Sequence, residues 1–343
     1  MATGSGLDAQ IGFGQESTWG TSVTPTRFVE FDSESLKKDV TWQEPKGLRV
    51  GVKAKRASRV RQSRIGVTGD VSMDLPTLGA GMLIRNCLGS TTTTTTLISG
   101  SAYKQVHVPG DFRGLGLTVQ VGRPEPGTGT VKPFTYAGCK VTKWELNIKD
   151  NDTPSLKLSF DGRSEATATA LATASYLAGT TTYDFSQATV FKLGGTATTA
   201  SGETTIASGV QVAAIVKDFT LTGTTPFATD RYGLGNAGLK AEQLENGTPT
   251  YTGKMTAEFA ATELYNLFAT NSTVALQLDL VGAVIGATNQ TFSIILPAIK
   301  IKSAPPNVGG PDIVTMSTDF EVYNDETNPT MQIKIISTES TTV

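Results

Sequence analysis

Side chains that commonly perform catalysis or bind metals are scarce in this chain of 343 residues. It has a single histidine, His107, and its two cysteines, Cys87 and Cys139, do not form a Cys-x-x-Cys pair. A Ser-His-Asp triad, a histidine-rich metal site or a histidine acid–base pair would each have to use that one histidine. The cysteine spacing excludes structural zinc and iron–sulfur sites. We therefore expect a protein that is not an enzyme and that holds no cofactor and no metal.

Two further patterns resemble chemical motifs but have the wrong surroundings. Residues 233–238 fit G-x-G-x-x-G, yet a dinucleotide site needs a buried strand before this motif and a helix after it, and neither is predicted here. We interpret the segment as part of a flexible arm. The acidic pairs Asp150/Asp152 and Asp325/Glu326 lie in sequences typical of turns, whereas a glycosidase needs carboxylates that face one cleft from separate elements. Turns are therefore our interpretation of both pairs.

The composition indicates which elements could position functional residues. Charged residues make up 17% of the chain, there are 36 glycines, and threonine is abundant. Low charge with many Thr, Gly and Val favours short strands and turns over helix bundles. The first ten residues lack the basic and apolar regions of a signal peptide, and the charge-free stretches are too polar to span a bilayer. We expect a mainly β (α+β) protein with no membrane partner.

The charges are unevenly distributed along the chain. Up to Glu165 there are 21 basic and 16 acidic residues, a net charge of +5, and the remainder has 8 basic and 15 acidic residues, a net charge of −7. Opposite net charges in two parts of one chain favour association between copies. The alternating sequence over 48–55 predicts a β-hairpin arm spanning 41–66. The basic residues of this arm are Lys46, Arg49, Lys53, Lys55, Arg56, Arg59, Arg61 and Arg64.

Three interpretations of this basic arm stay open. It is a solvated loop, a nucleic-acid contact, or a segment that docks on an acidic surface of another copy. Residues 46–64 contain no aromatic side chain that could stack on bases, which disfavours the nucleic-acid contact. The acidic excess in the same chain favours docking between copies.

The order of predicted elements is repeated along the chain. Residues 67–75 and 251–259 each have a β-branched or aromatic residue, then Thr-Gly and a polar–apolar alternation, and each precedes a short predicted helix. In the second helix, Leu264, Leu267 and Phe268 form one apolar face that covers a sheet. Further strand candidates follow in the same order in both halves: 28–40 and 215–223, 115–121 and 274–281, 134–143 and 292–302, and 156–160 and 314–322.

This repeat predicts two tandem antiparallel β-sandwich or barrel units, each with one short flanking helix. The terms arm 1 and arm 2 denote the long segments that precede the Thr-Gly strand of unit 1 and unit 2. We assign residues 1–27 to an N-terminal extension, 28–165 to unit 1 with arm 1 at 41–66, 166–211 to a Thr/Ala/Gly-rich linker or accessory hairpin, and 212–343 to unit 2 with arm 2 at 224–250.

The opening segment resembles a known family. Residues 11–28, IGFGQESTWGTSVTPTRF, contain Gly-x-x-x-Glu, an aromatic-Gly-Thr step and Pro-Thr-x-Phe. This order is similar to the start of bacteriophage tail tube proteins, the major tail proteins of long-tailed, non-contractile siphophages, and the block from Tyr251 to Leu264 is similar too. The resemblance implies subunits whose sheets join into one ring-wide β-barrel. Stacked rings then form the channel through which DNA is delivered into the host cell.

The resemblance also implies an oligomeric state and partners. The family's ring has six positions with one tube domain each, so a chain with two units would form trimeric, pseudo-hexameric rings stacked head to tail. The alternative is a hexamer in which each chain has one tube domain and a C-terminal surface domain. Further implied partners are the tape measure protein and DNA, transiently in the lumen, and the tail terminator and distal tail proteins. The implied location is the tail of the virion, assembled in the cytoplasm of the bacterial host.

A channel for DNA should not bind phosphates strongly. One face of the two Thr-Gly strands carries carboxylates and hydroxyls, with a single lysine, and we expect this face to line the lumen. The alternative is that these side chains face solvent or a neighbouring subunit. The candidates are Asp70, Ser72, Asp74, Lys254, Thr256 and Glu258.

Two other functions compete with a tube subunit. One is a different tail component with the tube fold, such as a terminator or hub. The other is an Ig-like adhesin or carbohydrate-binding β protein, which would be a monomer. Self-polymerisation separates the tube subunit from both.

Overall fold

The computed structural model describes residues 4–90, 95–259 and 262–342. The mainly β prediction is confirmed, with 51% of residues in strands and 8% in helices. The helices are α1 Ala80–Leu88 and α2 Glu263–Ala269, with short 3-10 turns at Gly6–Asp8, Ala57–Arg59 and Phe185–Gln187. The strands are β1 Gln10–Gln15, β2 Arg27–Val29, β3 Ser33–Glu34, β4 Lys37–Gln43, β5 Arg61–Asp74, β6 Thr96–Ser99, β7 Ala102–His107, β8 Leu117–Pro124, β9 Val131–Lys149, β10 Ser155–Gly162, β11 Ser164–Ala166, β12 Ala188–Leu193, β13 Thr196–Ala200, β14 Glu203–Ala207, β15 Val210–Gln211, β16 Val216–Thr224, β17 Thr250–Glu258, β18 Thr273–Ile285, β19 Thr288–Ser303, β20 Pro306–Asn307, β21 Thr315–Val322 and β22 Gln332–Ser337.

The two halves of the chain have the same antiparallel strand order. In unit 1 the order is β4–β5–β10–β9–β8–β1, and in unit 2 it is β16–β17–β21–β19–β18 followed by β12. The Thr-Gly strands occupy the same place in both orders, and their registers agree. Gly69 lies opposite Phe160 in unit 1, and Gly253 lies opposite Phe320 in unit 2.

Both Thr-Gly glycines are required by close packing. Gly69 has φ +149°, and a β-carbon there would lie 2.5 Å from the carbonyl oxygen of Ser35. A β-carbon at Gly253 would lie 2.0 Å from the Phe320 ring. Either contact would displace the neighbouring strand or ring, so these positions need glycine.

The two halves share one continuous sheet, which we call the main sheet. Strand β16 of unit 2 pairs with the second half of β9 of unit 1, with Leu221 opposite Leu146. The main sheet therefore runs β4–β5–β10–β9–β16–β17–β21 and ends at β20 and the last residues of β19. Each unit contributes four of these strand positions.

The apolar core lies between the main sheet and a second layer of strands. Phe13 of β1 stacks on Phe160 of β10 at 6.3 Å, and Phe191 of β12 packs edge-on against Phe219 of β16 at 5.8 Å. One apolar cluster contains buried residues from both units. Helix α1 is almost wholly buried, whereas in α2 Leu264 is buried and Phe268 is 41% exposed. The predicted apolar face of the second helix is therefore only partly covered.

The second layer also joins the two units. Strand β7 follows α1 of unit 1 in the chain, yet it pairs with β22 of unit 2, with His107 opposite Ile333. The hairpin β13–β14 from the predicted linker lies beside this seam, where Glu203 pairs with Lys104 at 2.5 Å and Lys334 at 3.0 Å. Strand β12, also in the predicted linker, extends the sheet of unit 2 by pairing with β18. In the described residues, no helix is long and apolar enough to cross a membrane.

Candidate assembly interface

One face of the main sheet is polar across the strands from β3 to β21. Residues directly opposite each other in a sheet lie on the same face, and the register links Ser72, Lys157, Glu145, Thr222 and Thr252 in that way. The intervening side chains, such as Val71, Leu146 and Met255, are buried in the core. The six candidate lumen residues, Asp70, Ser72, Asp74, Lys254, Thr256 and Glu258, therefore lie on this one face. That the face lines a lumen stays a prediction.

The chemistry of this polar face limits what it can bind. Two of its lysines lie beside carboxylates: Lys157 pairs with Asp70 at 2.9 Å and Lys143 lies 3.8 Å from Glu145. Burial raises the pKa of Asp70, but hydrogen bonds from Lys157 and Ser159 outweigh burial, and the pKa is lowered. None of the residues that form this face across β3 to β21 is an arginine or has an aliphatic or aromatic side chain. They are Ser33, Ser35, Lys37, Asp39, Thr68, Asp70, Ser72, Asp74, Lys143, Glu145, Asn147, Lys149, Ser155, Lys157, Ser159, Asp218, Thr220, Thr222, Thr224, Thr252, Lys254, Thr256, Glu258, Thr315, Ser317, Asp319 and Glu321.

The two edges of the main sheet are structurally related to the join inside the chain. Residues 33–39 of unit 1 occupy the position of 218–224 in unit 2, since Ser33 faces Ser72 as Asp218 faces Thr256. Residues 304–309 occupy the position of 144–149, since Pro306 faces Met316 as Leu146 faces Leu156. Inside the chain, 218–224 pairs with 143–149. Each edge thus corresponds to one side of an interface that the chain already contains.

Arm 1 projects from the sheet and is exposed. Strands β4 and β5 pair as far as Gln43 opposite Arg61, so the base of the predicted hairpin is present. The prediction of strand structure over 48–55 was wrong, because Pro45, Gly47 and Gly51, the last with φ +77°, turn the chain into a loop over 44–60. The basic residues Lys46, Arg49, Lys53, Lys55, Arg56, Arg59, Arg61 and Arg64 lie on this loop and the adjoining strand, exposed except for the half-buried Arg56.

Arm 1 holds few neutralising partners within the described residues. Lys55 forms an ion pair with Glu44, and Arg64 lies over the Tyr232 ring at 5.0 Å. Arg61 donates hydrogen bonds to backbone oxygens of its own arm. Most of the positive charge therefore remains available for a partner.

Arm 2 lies on unit 1 and is fixed there by a buried polar cluster, which we call the latch. Lys240 pairs with Asp161 at 2.7 Å, and Gln243 donates a hydrogen bond to the other Asp161 oxygen at 2.8 Å. Lys140 of unit 1 pairs with Glu242 at 2.8 Å and donates to the carbonyl oxygen of Gln243. Because each buried charge has a partner of opposite charge, the cluster holds the arm in one position.

Burial shifts the pKa values within the latch. It raises the pKa of the Asp161 carboxyl even though Lys240 and Gln243 favour the charged form. It also lowers the pKa of Lys140 despite the nearby Glu242. Residues 233–238, which fit G-x-G-x-x-G, lie in this arm, and the backbone oxygen of Gly238 accepts a hydrogen bond from Ile65 of unit 1. The arm interpretation of this segment agrees with its position.

Sequence patterns did not single out the latch residues Lys140, Asp161, Lys240, Glu242 and Gln243. They come from strands and loops up to 103 positions apart, so no local spacing connects them. The available signal was a charged residue in an apolar context, such as Lys140 after Ala-Gly-Cys and before Val. Such residues are almost never buried unless they are paired.

The opening motif has a structural role. Glu16 accepts hydrogen bonds from the backbone nitrogens of Gly20 at 2.6 Å and Gly138 at 2.8 Å, and from the Thr118 hydroxyl at 3.0 Å. Burial raises the pKa of this carboxyl, and the hydrogen bonds oppose the rise. The Gly-x-x-x-Glu pattern thus fixes the loop after β1 against β9.

A family model described as phage tail tube protein matches residues 6–322, which is most of the chain. No curated protein matches this chain.

Proposed function

The chain belongs to the phage tail tube protein family, and on that basis we propose that it self-assembles into stacked rings that form the channel for DNA delivery into the host cell. Family membership makes it a structural component of the virion tail. The ring, the stacking and the passage of DNA are the parts that we propose. We further propose that the phage is a siphophage, with the subunit assembled in the bacterial cytoplasm.

The observation that carries the proposal is the join between β16 and β9. In this join, residues 218–224 in the first strand of unit 2 pair with residues 143–149, which form the edge of unit 1. Unit 2 presents the same edge at residues 303–309, and unit 1 presents the same first strand at 33–39. Unpaired strand edges template further pairing, so the 33–39 edge of one copy can satisfy the 303–309 edge of the next. Applied to both edges, this pairing closes a ring.

With the β16–β9 join as the model for pairing between copies, the two kinds of join can be compared residue by residue. Inside the chain, Thr224 lies opposite Lys143, so between copies Asp39 should lie opposite Ser303. Pro305 and Pro306 stand in the edge between copies, and neither has an N–H to donate to a partner strand. We therefore expect the join between copies to be weaker than the join within the chain.

Three copies are the number that the six-position ring implied by the family resemblance requires. Each unit supplies four strand positions, so a chain fills two positions of a six-fold barrel and a trimer closes it. Such a barrel would have about 24 strands, and at the usual strand spacing and tilt its backbone diameter is about 45–50 Å. A hexamer would need unit 2 to leave the barrel wall, which the continuous main sheet disfavours.

The polar face suits the inner wall of this barrel. Its lysines are balanced by carboxylates and separated by hydroxyls, so DNA and the tape measure protein can pass without strong phosphate contacts. The tail terminator and distal tail proteins would then cap the two ends of the stack. Arm 1, which projects from the end of the sheet, would connect neighbouring copies.

A cysteine pair across the proposed join tests the ring. The variant Asp39→Cys with Ser303→Cys is oxidised after assembly and run on a denaturing gel, where we expect covalent oligomers that stop at three chains. The native Cys87 and Cys139 are fully buried and do not compete. The matched control is Asp39→Cys with Thr224→Cys, since Thr224 is exposed on the same face but lies within the chain's own sheet.

Other outcomes identify the competing functions. A ladder that reaches six chains would favour the hexamer. Rings that close but never stack would indicate a terminator or hub. A chain that stays monomeric at high concentration would contradict the tube and favour an adhesin-like or carbohydrate-binding protein.

A further inference from the structure

The tip of arm 1 exposes an apolar pair between positive charges. Leu48 and Val50 are 101% and 98% exposed, and Lys46, Arg49 and Lys53 flank them. Exposed aliphatic side chains on a projecting loop gain free energy when a partner covers them. The tip therefore needs an apolar site with a negative rim.

A groove with an apolar floor lies at the far end of the strand that carries arm 1. Its volume is about 530 Å³, and it opens beside the last residue of β5, Asp74. The volume is enough for two aliphatic side chains, since ligand sites begin at about 300 Å³. The apolar lining comprises Phe28, Val29, Phe31, Pro76, Leu78, Tyr176 and Leu177.

Carboxylates surround the mouth of this groove. Glu30, Asp32 and Asp74 line it, and Asp152 lies near enough to act on Asp74. Burial raises the pKa of Asp74, and the charges of Asp32, Asp152 and Glu30 raise it further. Within the part of the chain that the structure describes, none of these four carboxylates forms an ion pair. A positive partner would relieve the repulsion among them.

The tip and the groove cannot meet within one copy. They lie at opposite ends of β5, whose 14 residues span about 44 Å at the usual rise for an antiparallel strand. A contact between opposite ends of two copies does not close on itself, and repetition generates a filament. The positive, apolar tip and the negative, apolar groove are thus complementary along the axis in which rings would stack.

We propose that the tip of arm 1, residues 46–53, docks in the groove at the Asp74 end of β5 on a second copy in the adjacent ring. Leu48 and Val50 enter the apolar floor, while Arg49 and Lys53 face Glu30 and Asp32. This assignment rests on the proposed function, because it needs stacked rings. It names the surface that receives the basic arm and makes stacking, rather than ring closure, the task of arm 1.

Arm 2 provides a matched comparison. Its tip also exposes a leucine, Leu234, which is 106% exposed, but the segment around it, Gly233–Asn236, carries no positive charge. If exposure alone determined docking, both tips would reach the groove. If charge and exposure act together, only arm 1 does so.

Cross-linking separates these cases. Tubes of Leu48→Cys with Leu177→Cys are oxidised with copper–phenanthroline, and we expect a ladder of linked chains that extends beyond one ring. The control, Leu234→Cys with Leu177→Cys, should give monomers under the same conditions. Tubes that stack normally but give no ladder with Leu48→Cys, or an equal ladder with Leu234→Cys, would overturn the proposal and leave the proposed function intact. Absence of rings from the wild-type chain would instead reject the proposed function, and this docking with it.

A charge exchange provides a second test. Arg49→Glu with Lys53→Glu should raise the protein concentration needed for stacking at least tenfold while single rings persist. Adding Glu30→Lys and Asp32→Lys to the same chain should restore stacking. Unchanged stacking in the first variant, or no restoration in the second, would contradict the docking. All four residues are exposed, so circular dichroism should show folded protein in each case.

Discussion

Arm 1 and arm 2 leave their units at the same structural position and yet have opposite environments. Arm 2 folds over unit 1 and buries Lys240 and Gln243 against Asp161. Arm 1 carries the greater charge and is exposed along 44–55. The difference follows from connectivity, because unit 1 is always present beside unit 2 in one chain, whereas the proposed partner of arm 1 is a separate copy. An arm whose partner is guaranteed can rely on buried charges, and an arm that must find its partner keeps its charges in solvent.

Reversing the charges of arm 1 should have the largest effect of these changes on tube assembly. In the triple variant Arg56→Glu, Arg59→Glu and Arg61→Glu, we expect loss of tubes and retention of the folded chain in unstacked form, because the arm would now repel acidic surfaces. Electron microscopy and circular dichroism measure the two properties. Tubes of normal length would refute the role of the arm.

The control for that variant changes the same net charge elsewhere. Arg113→Glu, Lys132→Glu and Lys192→Glu lie outside both arms and should leave tubes intact. Loss of tubes in both variants would mean that net charge, rather than the arm, controls assembly.

Breaking the latch should mainly affect stability. Lys240→Met leaves Asp161 buried without its cation, which should cost about 3–5 kcal/mol, while Lys53→Met in arm 1 should change stability by less than about 0.5 kcal/mol. Urea unfolding of the triple variant, at a protein concentration too low for assembly, measures both, because assembly then makes no contribution. Equal effects of the two substitutions would show that the arms do not differ as described.

The seam between β7 and β22 should respond to acid in the opposite sense from the buried carboxyls of Glu16 and Asp161. Burial, with a smaller contribution from Arg85, lowers the pKa of His107 to about 3, so the unfolded chain binds the extra proton first. Stability is then lost as pH falls below the unfolded value of about 6.5, by roughly 2 kcal/mol between pH 6.5 and pH 5. The raised pKa values of Glu16 and Asp161 act the other way, since they favour the folded state as pH falls.

Comparison with His107→Asn isolates this contribution. The variant should lose less stability than the wild type between pH 6.5 and pH 5 in urea unfolding of the monomer. Parallel pH profiles would show that the buried histidine does not control acid sensitivity.

Salt should have the smallest effect and should distinguish exposed from buried charges. Raising the salt concentration from 0.1 M to 1 M shortens the screening length from about 10 Å to about 3 Å. We expect shorter or fewer tubes in electron micrographs but little change in the melting temperature, because the latch is shielded from solvent. A melting temperature that falls while tubes persist would contradict this assignment of charges.

Local patterns predicted the strands well and the contacts poorly. The alternation around Gly69 and Gly253 gave both Thr-Gly strands, since side chains alternate between faces with a period of two. The strand expected over 48–55 shows the same alternation but is broken by glycine and proline turns. Phe268 shares an apolar face with Leu264 yet is 41% exposed, because little packs against that end of α2. The resemblance to tail tube proteins in residues 11–28 is matched by the family model over 6–322.

Contacts between the units were beyond local patterns. The pairing of His107 with Ile333 joins residues that are far apart in the chain. The latch joins arm 2 to unit 1 through a buried polar network. Such contacts depend on which surfaces the fold brings together, and each residue alone reads as an ordinary strand or loop position. The duplicated strand order becomes informative only when both registers are known.

Closure of the main sheets of three copies into one ring is the part of the proposed function on which the rest depends. Cryo-electron microscopy of assembled tubes tests it most directly, by tracing the strand next to residues 33–39 of each chain. We expect residues 303–309 of a neighbouring chain there, three chains per ring, and the Asp70 and Glu258 face towards the channel. Six chains per ring, or an edge at 33–39 that faces solvent in the assembled tube, would contradict the claim.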